Sequence, residues 1–392
     1  MRIAMPVFNI IGKGTFWRAL ALGQVLAGKG HAVTLLATSP HRRRGYRRTE
    51  RRGVTVIETP DLLPGSLRSG WDLWNALVRI GYLRGRAFDL VHAFENRPVA
   101  LLPALYLHRS RGIPLISDWC DWFGRGGSVE ERPNPLLRAV LRPVETFLEE
   151  VPRRRADGVT AINSLLQRKA ESLGIPPERI LLLPNGSNVE EIRPGDREEA
   201  RRQLGLPPEA RLIAYTGAIF ARDARLMAEA FDRIHAARPE SRLLLVGYCN
   251  IAVEEMVRTP EAVIRTGPVD YATLARYLVA CDLGWLPLRD SGANRGRFPL
   301  KLNDFMAAGR AVVASDVGDL GDLVREEGIG LVAPDRADAL AQAVLDLLAD
   351  DARRAAMGRR ARRLAEGRLS WPAVGSKLEG FYQNILALAE RT

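Results

Sequence analysis

The sequence predicts an α/β protein of two doubly wound, Rossmann-like domains facing a central cleft, and three observations carry that prediction. Short apolar runs alternate with helical stretches along the whole chain, the pattern of parallel strands joined by helical crossovers. The alternation breaks once, at residues 184–195, into Pro, Asn and Gly. The length of 392 residues amounts to two domains, or three, at roughly 150 residues each.

Taken in order, residues 2–8 read as a strand, followed by a glycine-bearing turn over 10–15 and a helix over 16–27. Ala19, Leu22, Val25 and Leu26 form its apolar side, and Gly28 and Gly30 end it. A strand at 32–37 follows, then short strands at 54–57, 90–93 and 114–117, with helical stretches between them. Beyond the break at 184–195, strands are expected at 211–216, 243–246, 263–266, 283–286, 311–314 and 330–332, with helices at 335–349, 351–366 and 375–390. The predicted domains are 1–188 and 196–372, with 373–392 a final helix packing back on the first. In open α/β sheets ligands sit beyond the carboxyl ends of the strands, so both domains should aim their loops at the cleft.

Composition bounds the function. With 46% hydrophobic and 26% charged residues the chain reads as an ordinary globular protein. No apolar run approaches the roughly 20 residues a membrane span needs, and the chain is expected to begin directly in the first strand, with no signal peptide. Cys120, Cys249 and Cys281 match no disulfide or metal spacing, which fits a reducing cytosol. The histidines (His31, His41, His92, His108 and His235) form no metal cluster in sequence, and no Asp-x-Asp pair occurs; no metal or other cofactor is expected. Net charge is +11, with only Lys13, Lys29, Lys169, Lys301 and Lys377 among the lysines. The densest basic run, Arg42–Arg44 with Arg47, Arg48, Arg51 and Arg52, reads either as a solvated loop or as a patch for an anionic membrane surface. It holds one aromatic, Tyr46, and no reading module, so nucleic acid is not expected as a partner. Residues 71–84, with Trp71, Trp74, Val78 and Tyr82 among Arg79 and Arg84 and preceded by Arg68, read as a core-facing crossover helix or as one for a membrane interface.

Two glycine patterns are decoys. Gly23 to Gly30 is one residue short of a phosphate-binding loop and lies along a helix rather than before one. Gly12-Lys13-Gly14 lacks the third glycine of a dinucleotide fingerprint, yet its place after the first strand lets backbone approach a phosphate or sugar. The chemistry is concentrated in Phe298-Pro299-Leu300-Lys301-Leu302-Asn303-Asp304, a helix start that ends at Gly309. Proline suits the first turn and glycine the stop. Leu302, Phe305 and Met306 make the buried side, and Lys301 and Asp304 share another face near the N-terminus. The helix dipole and the ammonium both favour a diphosphate, and a carboxylate one turn on can accept from both hydroxyls of a ribose. The structural alternative is a surface Lys–Asp pair.

An ordered series of segments resembles the retaining glycosyltransferases of family 4, which share the GT-B fold. It comprises Leu183-Pro-Asn-Gly186, Arg193-Pro-Gly195, Tyr215-Thr-Gly217, Thr266-Gly-Pro-Val269, Leu286-Pro287, the Lys301–Gly309 helix, Gly330-Leu-Val-Ala-Pro334 and Ser370-Trp371. The first half is similar more loosely, through Gly12–Gly14 and Gly30-His31-Ala-Val33. The resemblance implies metal-independent transfer, with retention, of a hexose from a UDP- or GDP-linked donor to a hydroxyl of a saccharide or lipid-linked acceptor. Phosphate contacts would come from Lys301 and the helix N-terminus, with Phe298, Pro299 and Leu300 among the donor-binding residues. Asp304 would take the ribose in place of a glutamate, while Gly296 stands where the family carries a second acid. Arg222 is the nearest match to a family cation after the first strand of the second domain, and Val269 lies where the base would rest. Gly12, Lys13 and Gly14 would approach the sugar.

The family also implies an acid or histidine after the fourth strand. Here Ser117-Asp118-Trp119-Cys120-Asp121-Trp122-Phe123-Gly124 offers Asp118 and Asp121 as acids near the reaction centre and two tryptophans for a sugar face. The alternative is that both acids cap or pair with nearby arginines. A nucleotide-sugar 2-epimerase and a non-catalytic sugar-nucleotide-binding subunit are the competing functional readings. Expected localisation is cytoplasmic, with peripheral attachment to the inner membrane face as a further expectation.

Overall fold

The computed structural model describes residues 1–41, 44–63 and 70–390; Arg42, Arg43 and Arg68 of the basic and aromatic stretches lie outside them. The chain divides into two compact units, Met1–Pro184 together with the C-terminal segment from Trp371, and Asn185–Ser370. The division falls a few residues before position 188. Asn185 and Ser187 are tied into the second unit by Asn303, whose Nδ2 donates to the Asn185 carbonyl at 2.8 Å and the Ser187 hydroxyl at 3.3 Å.

The first unit holds an eight-stranded sheet of β1 (Arg2–Ile10), β2 (Ala32–Thr38), β3 (Arg47–Arg51), β4 (Val54–Thr59), β5 (Leu90–Phe94), β6 (Leu115–Trp119), β7 (Gly158–Ala161) and β8 (Ile180–Leu182). Their spatial order is β3-β4-β2-β1-β5-β6-β7-β8, parallel except for β3, which runs antiparallel to β4. The sequence reading missed β3. Arg47, Arg48, Glu50 and Arg51 have no apolar face to betray a strand, and the segment sits at the sheet edge, where charge blocks further pairing. Part of the basic run is thus edge strand rather than loop. The helix Leu73–Leu83 divides its faces: Asn75, Ala76, Arg79, Tyr82 and Leu83 are buried, whereas Leu73, Trp74 and Leu77 are exposed.

The last helix, Trp371–Ala389, belongs to the first unit. Val374, Leu378, Phe381, Tyr382 and Ile385 join Ile3, Met5, Leu22 and Leu26 in one apolar core. Glycine makes the approach possible on both partners: a Cβ on Gly375 would come within 2.5 Å of Val25, and one on Gly158 within 3.0 Å of Phe381 and Ile385. His31 also holds this helix, through Glu379 at 2.8 Å.

The second unit is a six-stranded, all-parallel sheet of β9 (Arg211–Thr216), β10 (Ser241–Val246), β11 (Val263–Arg265), β12 (Leu283–Leu286), β13 (Val312–Ser315) and β14 (Gly330–Ala333). Its order is β11-β10-β9-β12-β13-β14, the 3-2-1-4-5-6 arrangement in which strand order reverses between the first and fourth strands. Strands buried on both faces read as unbroken apolar runs, which is why residues 211–216, 243–246 and 283–286 were legible. The crevice at the reversal opens beyond the ends of β9 and β12, and the informative helix follows β12.

Candidate active site

In the second unit, glycines turn the chain at the carboxyl ends of β9 and β10: Gly217 has φ 71° and Gly247 φ 86°, values costly for any residue with a Cβ. The two loops are tied together, with Ile219 N donating to Asn250 Oδ1 at 2.8 Å. After β12 the chain is pinned by buried Asp223, whose Oδ1 accepts from Arg289 N at 2.8 Å and Asn294 Nδ2 at 3.1 Å. A short helix, Gly292–Arg295, is capped by Ser291 and leads through Gly296 to Arg297, whose guanidinium lies 4.4 Å from the centre of the Phe220 ring.

The helix Leu300–Ala307 comes next, with Pro299 at its N-cap, one place earlier than the first-turn position expected, and Gly309 at φ 66° past its end. Leu302, Asn303, Phe305 and Met306 are buried. Phe305 packs so tightly on β12 that a Cβ at Gly284 would lie 2.5 Å from its ring. Asn185 Nδ2 takes the Phe298 carbonyl at 2.8 Å, fixing the entry to the helix. Pro299 has no N–H, so the first-turn donors outside the helical ladder are those of Leu300 and Lys301.

Lys301 is half-buried. Its Nζ lies 3.6 Å from the centre of the Tyr215 ring and donates to the Ala218 carbonyl at 3.2 Å; its contacts are a ring face and a carbonyl, not a carboxylate. Burial, reinforced by the charge of Arg297, lowers its pKa to about 7. Asp304 is likewise half-buried, accepts from the Tyr271 hydroxyl at 3.2 Å, and is pushed up to about 7 by burial. Burial thus disfavours the charged form of both groups, although each lies in the other's field. Val269 lies half-buried in the loop after β11, behind Gly267 at φ 69°.

Of the second-unit residues expected from sequence, Phe298, Pro299, Leu300, Lys301 and Asp304 therefore stand on one helix start. Arg222 does not join them: it is exposed on the first turn of the helix Ala221–Ala237, while its neighbour Asp223 turns inward. The cation whose charge acts on Lys301 is Arg297. Sequence reasoning also missed Tyr215, Tyr271, Asn185 and Asn303. Tyr215, Asn185 and Asn303 all lie within the motif segments, but the two asparagines act across a long sequence separation that no local pattern reveals.

In the first unit, Gly12 and Gly14 have φ 85° and 51° and flank Lys13 on an exposed turn between β1 and the helix Thr15–Gly28. Asn9 Oδ1 accepts from Thr15 N at 2.8 Å and would lie 2.8 Å from a Cβ at Gly14. Asp118 corrects the sequence reading. It is fully buried, and its oxygens accept from Arg18 Nε and Nη2, each at 3.0 Å, from Thr160 and from Cys120. Each carboxylate oxygen thus accepts twice, which uses its capacity. Burial alone would raise its pKa, but the charge and hydrogen bonds of Arg18 hold it below the ordinary value. Asp118 is the counter-ion of Arg18, the arginine-pairing alternative, and does not face a substrate.

Trp119 is also a core residue, its Nε1 bonded to Glu149 at 3.0 Å. Asp121 and Trp122 are half-buried, and the loop closes over Trp122 because a Cβ at Gly126 would meet its ring at 2.7 Å. The residue that holds this loop was not foreseen. Glu95, at the end of β5, has φ 67°, an uncommon conformation for a side chain and one found where function fixes the backbone. Its carboxyl accepts from Cys120 N and Asp121 N and from Arg153 Nη2 at 2.8 Å; burial raises its pKa to about 8.

Two such α/β units, with a dipole-backed cation and carboxylate at the strand reversal of the second, define a sugar-nucleotide type of site on a GT-B fold. The comparisons agree. Residues 210–350 match the model of "Glycosyl transferases group 1" and residues 13–186 that of a "Glycosyl transferase 4-like domain", and the chain belongs to this family of glycosyltransferases. The D-inositol 3-phosphate glycosyltransferase of Thermobispora bispora is 30% identical over 283 residues, 67% of this chain and 62% of that protein. The chain thus spans less than two thirds of that relative's length. The phosphatidyl-myo-inositol mannosyltransferase of Mycolicibacterium smegmatis is 25% identical over 98% of this chain and 94% of its own. Among solved structures, sucrose-phosphate synthase from Thermosynechococcus elongatus superposes with a TM-score of 0.75 at 21% identity, covering 99% of this chain and all of that one; it supports the fold.

Proposed function

We propose that this chain is a hexosyltransferase that takes its sugar from a UDP- or GDP-linked donor and delivers it, with retention and without a metal, to a hydroxyl of a saccharide or lipid-linked acceptor. The observation that carries the reading is Lys301, whose ammonium meets, among the described residues, a ring and a carbonyl at the start of a helix whose dipole favours an anion. Lys301, Arg297 and the first-turn N–H groups would take the diphosphate, and Asp304 the ribose, with Tyr271 orienting the carboxylate. The names of the inositol-phosphate and phosphatidylinositol relatives support a polyol or lipid-linked acceptor. In the reaction the bond from the anomeric carbon to the phosphate oxygen breaks. The acceptor oxygen bonds to that carbon on the same face, and its proton passes to the leaving phosphate. Developing charge on that phosphate is what Lys301 stabilises. No enzymic nucleophile is needed. Asp121 remains the candidate acid on the acceptor side, beside Gly12, Lys13 and Gly14 as backbone near the sugar.

A thermal-shift series with UDP, GDP, ADP and TDP tests the donor first, because a ligand of the folded state stabilises by RT ln(1 + [L]/Kd). The matching nucleotide sugar is then incubated with and without inositol phosphate or phosphatidylinositol, and the product anomer is read by NMR. Expected are a shift with UDP or GDP and an acceptor-dependent product that keeps the donor's anomeric configuration. No shift with any nucleotide, an epimer formed without acceptor, or tight binding with neither transfer nor hydrolysis would each replace the proposal.

The pH dependence of donor binding has a definite sign. Lys301 loses its proton near 7 in the free protein, and a bound diphosphate favours the ammonium, so binding takes up a proton above that pH. Asp304 loses its proton near 7 as well, and accepting from ribose favours the carboxylate, so binding releases a proton below it. Affinity for a nucleotide sugar should therefore peak near neutrality and fall on both sides, by up to about tenfold per pH unit on each limb. Calorimetry across pH reads this directly, and Lys301→Arg should flatten the alkaline limb because a guanidinium stays charged. A flat profile for the unmodified chain would contradict both assignments.

A further inference from the structure

The helix Pro135–Arg154 in the first unit is amphipathic in the reverse sense. Its buried residues are Glu145, Glu149, Pro152 and Arg153, while Leu136, Leu137, Val140, Val144 and Phe147 are 78, 47, 65, 41 and 59% exposed. Positions 136, 140, 144 and 147 follow helical spacing and form one outward stripe about 16 Å long. A helix of a soluble protein normally turns such a stripe to the core.

The inversion is stable because the inward charges are met. Glu145 pairs with Arg97 at 3.1 Å and Arg132 at 3.2 Å. Glu149 accepts from Trp119 Nε1, Phe123 N and Gly124 N at 2.8–3.0 Å. The helix is therefore held by its polar side, and its apolar side is left for something outside the unit. The C-terminal end of that side is basic, with Arg154 and Arg155 exposed, whereas Arg138 and Arg142 stand on the polar side and meet Glu130; the helix's remaining acid, Glu150, is paired with Lys169 at 2.7 Å. A second exposed apolar group, Leu73, Trp74 and Leu77, opens the helix Leu73–Leu83. The two helix regions border one cluster, since the Arg97 guanidinium that pairs with Glu145 also lies over Trp71 and Phe123 at 4.8 and 4.7 Å.

We propose that the outward face of the helix Pro135–Arg154, with the exposed start of the helix Leu73–Leu83, docks on the surface of an anionic lipid bilayer. Aliphatic and aromatic side chains on one side, two exposed arginines at its end and three acids that all have partners among the described residues are the chemistry of a helix that lies in a headgroup layer. The positive end formed by Arg154 and Arg155 is complementary to anionic headgroups. The inference rests on the transferase reading, which it deepens by assigning the surface that brings the chain to a lipid-linked acceptor.

Flotation of the full chain with phosphatidylcholine vesicles, with and without phosphatidylglycerol, tests it. The chain should rise with the anionic vesicles, remain below with the zwitterionic ones, and detach as salt is added. The triple variant Leu136→Gln, Val140→Gln, Phe147→Gln should lower the bound fraction about tenfold or more. Its stabilisation by the preferred nucleotide should not change, which shows that it is folded. Failure of the unmodified chain to float, or flotation of the variant to the same extent, would overturn the proposal. So would a dimer of the unmodified chain that the variant abolishes, since a second copy would then cover the face. Loss of the nucleotide response in the unmodified chain would instead remove the transferase reading and leave the docking surface standing.

Discussion

Replacing Lys301 by alanine is expected to reduce turnover by about two to three orders of magnitude, the usual effect of deleting one group that stabilises transition-state charge, while the protein stays folded. The side chain is half-buried and, among the described residues, carries no ion pair that its loss would strand; it leaves behind a ring face and one carbonyl. Removing an ammonium whose pKa burial has lowered to about 7 also removes a desolvation cost, so the melting temperature should hold or rise slightly. The same variant should lose most of its stabilisation by UDP or GDP. Steady-state transfer rates with the matched nucleotide sugar, measured beside circular dichroism, check both halves. Turnover equal to that of the unmodified chain would withdraw the phosphate assignment and with it the proposed chemistry.

Replacing Asp118 by asparagine should damage the protein in the opposite way. Arg18 is buried in the first unit, with Asp118 as its paired carboxylate at 3.0 Å. Breaking a buried pair from one side costs about 3–5 kcal/mol, a large part of the 5–15 kcal/mol that typically holds a domain together. Denaturant unfolding should show this loss, and Arg18→Met combined with Asp118→Asn should recover part of it, because neither charge is then stranded. Whatever fraction of Asp118→Asn folds should retain much of its catalytic rate. A variant as stable as the unmodified chain but inactive would return Asp118 to the reaction centre.

The two residues were judged from the same kind of signal, a charged side chain near the end of a strand, and the structure separated them. Lys301 follows proline on a helix whose apolar stripe was already visible, so its face could be worked out from spacing alone. Asp118 lies within β6, every residue of which is buried, and sequence does not say which partner meets a charge there. Its partner Arg18 stands a hundred residues earlier. Arg222 shows the same limit, because a one-residue difference in register places Asp223 inward and leaves the arginine to solvent. Arg297 shares its loop with Arg289 and Arg295, and nothing in their spacing marks it out.

Local physics was sufficient for the strands of the second unit, for the helix Leu300–Ala307 and its stop at Gly309, and for the turn at Gly12 and Gly14. In each case hydrophobic period or permitted backbone angles leave few options to the chain itself. Tertiary structure alone decided which charges are spent in the interior, that Glu95 at φ 67° holds the loop after β6, and that the helix Pro135–Arg154 turns its apolar side outward. Those outcomes depend on desolvation and on partners far away in sequence, and neither quantity is written in the spacing of neighbouring residues.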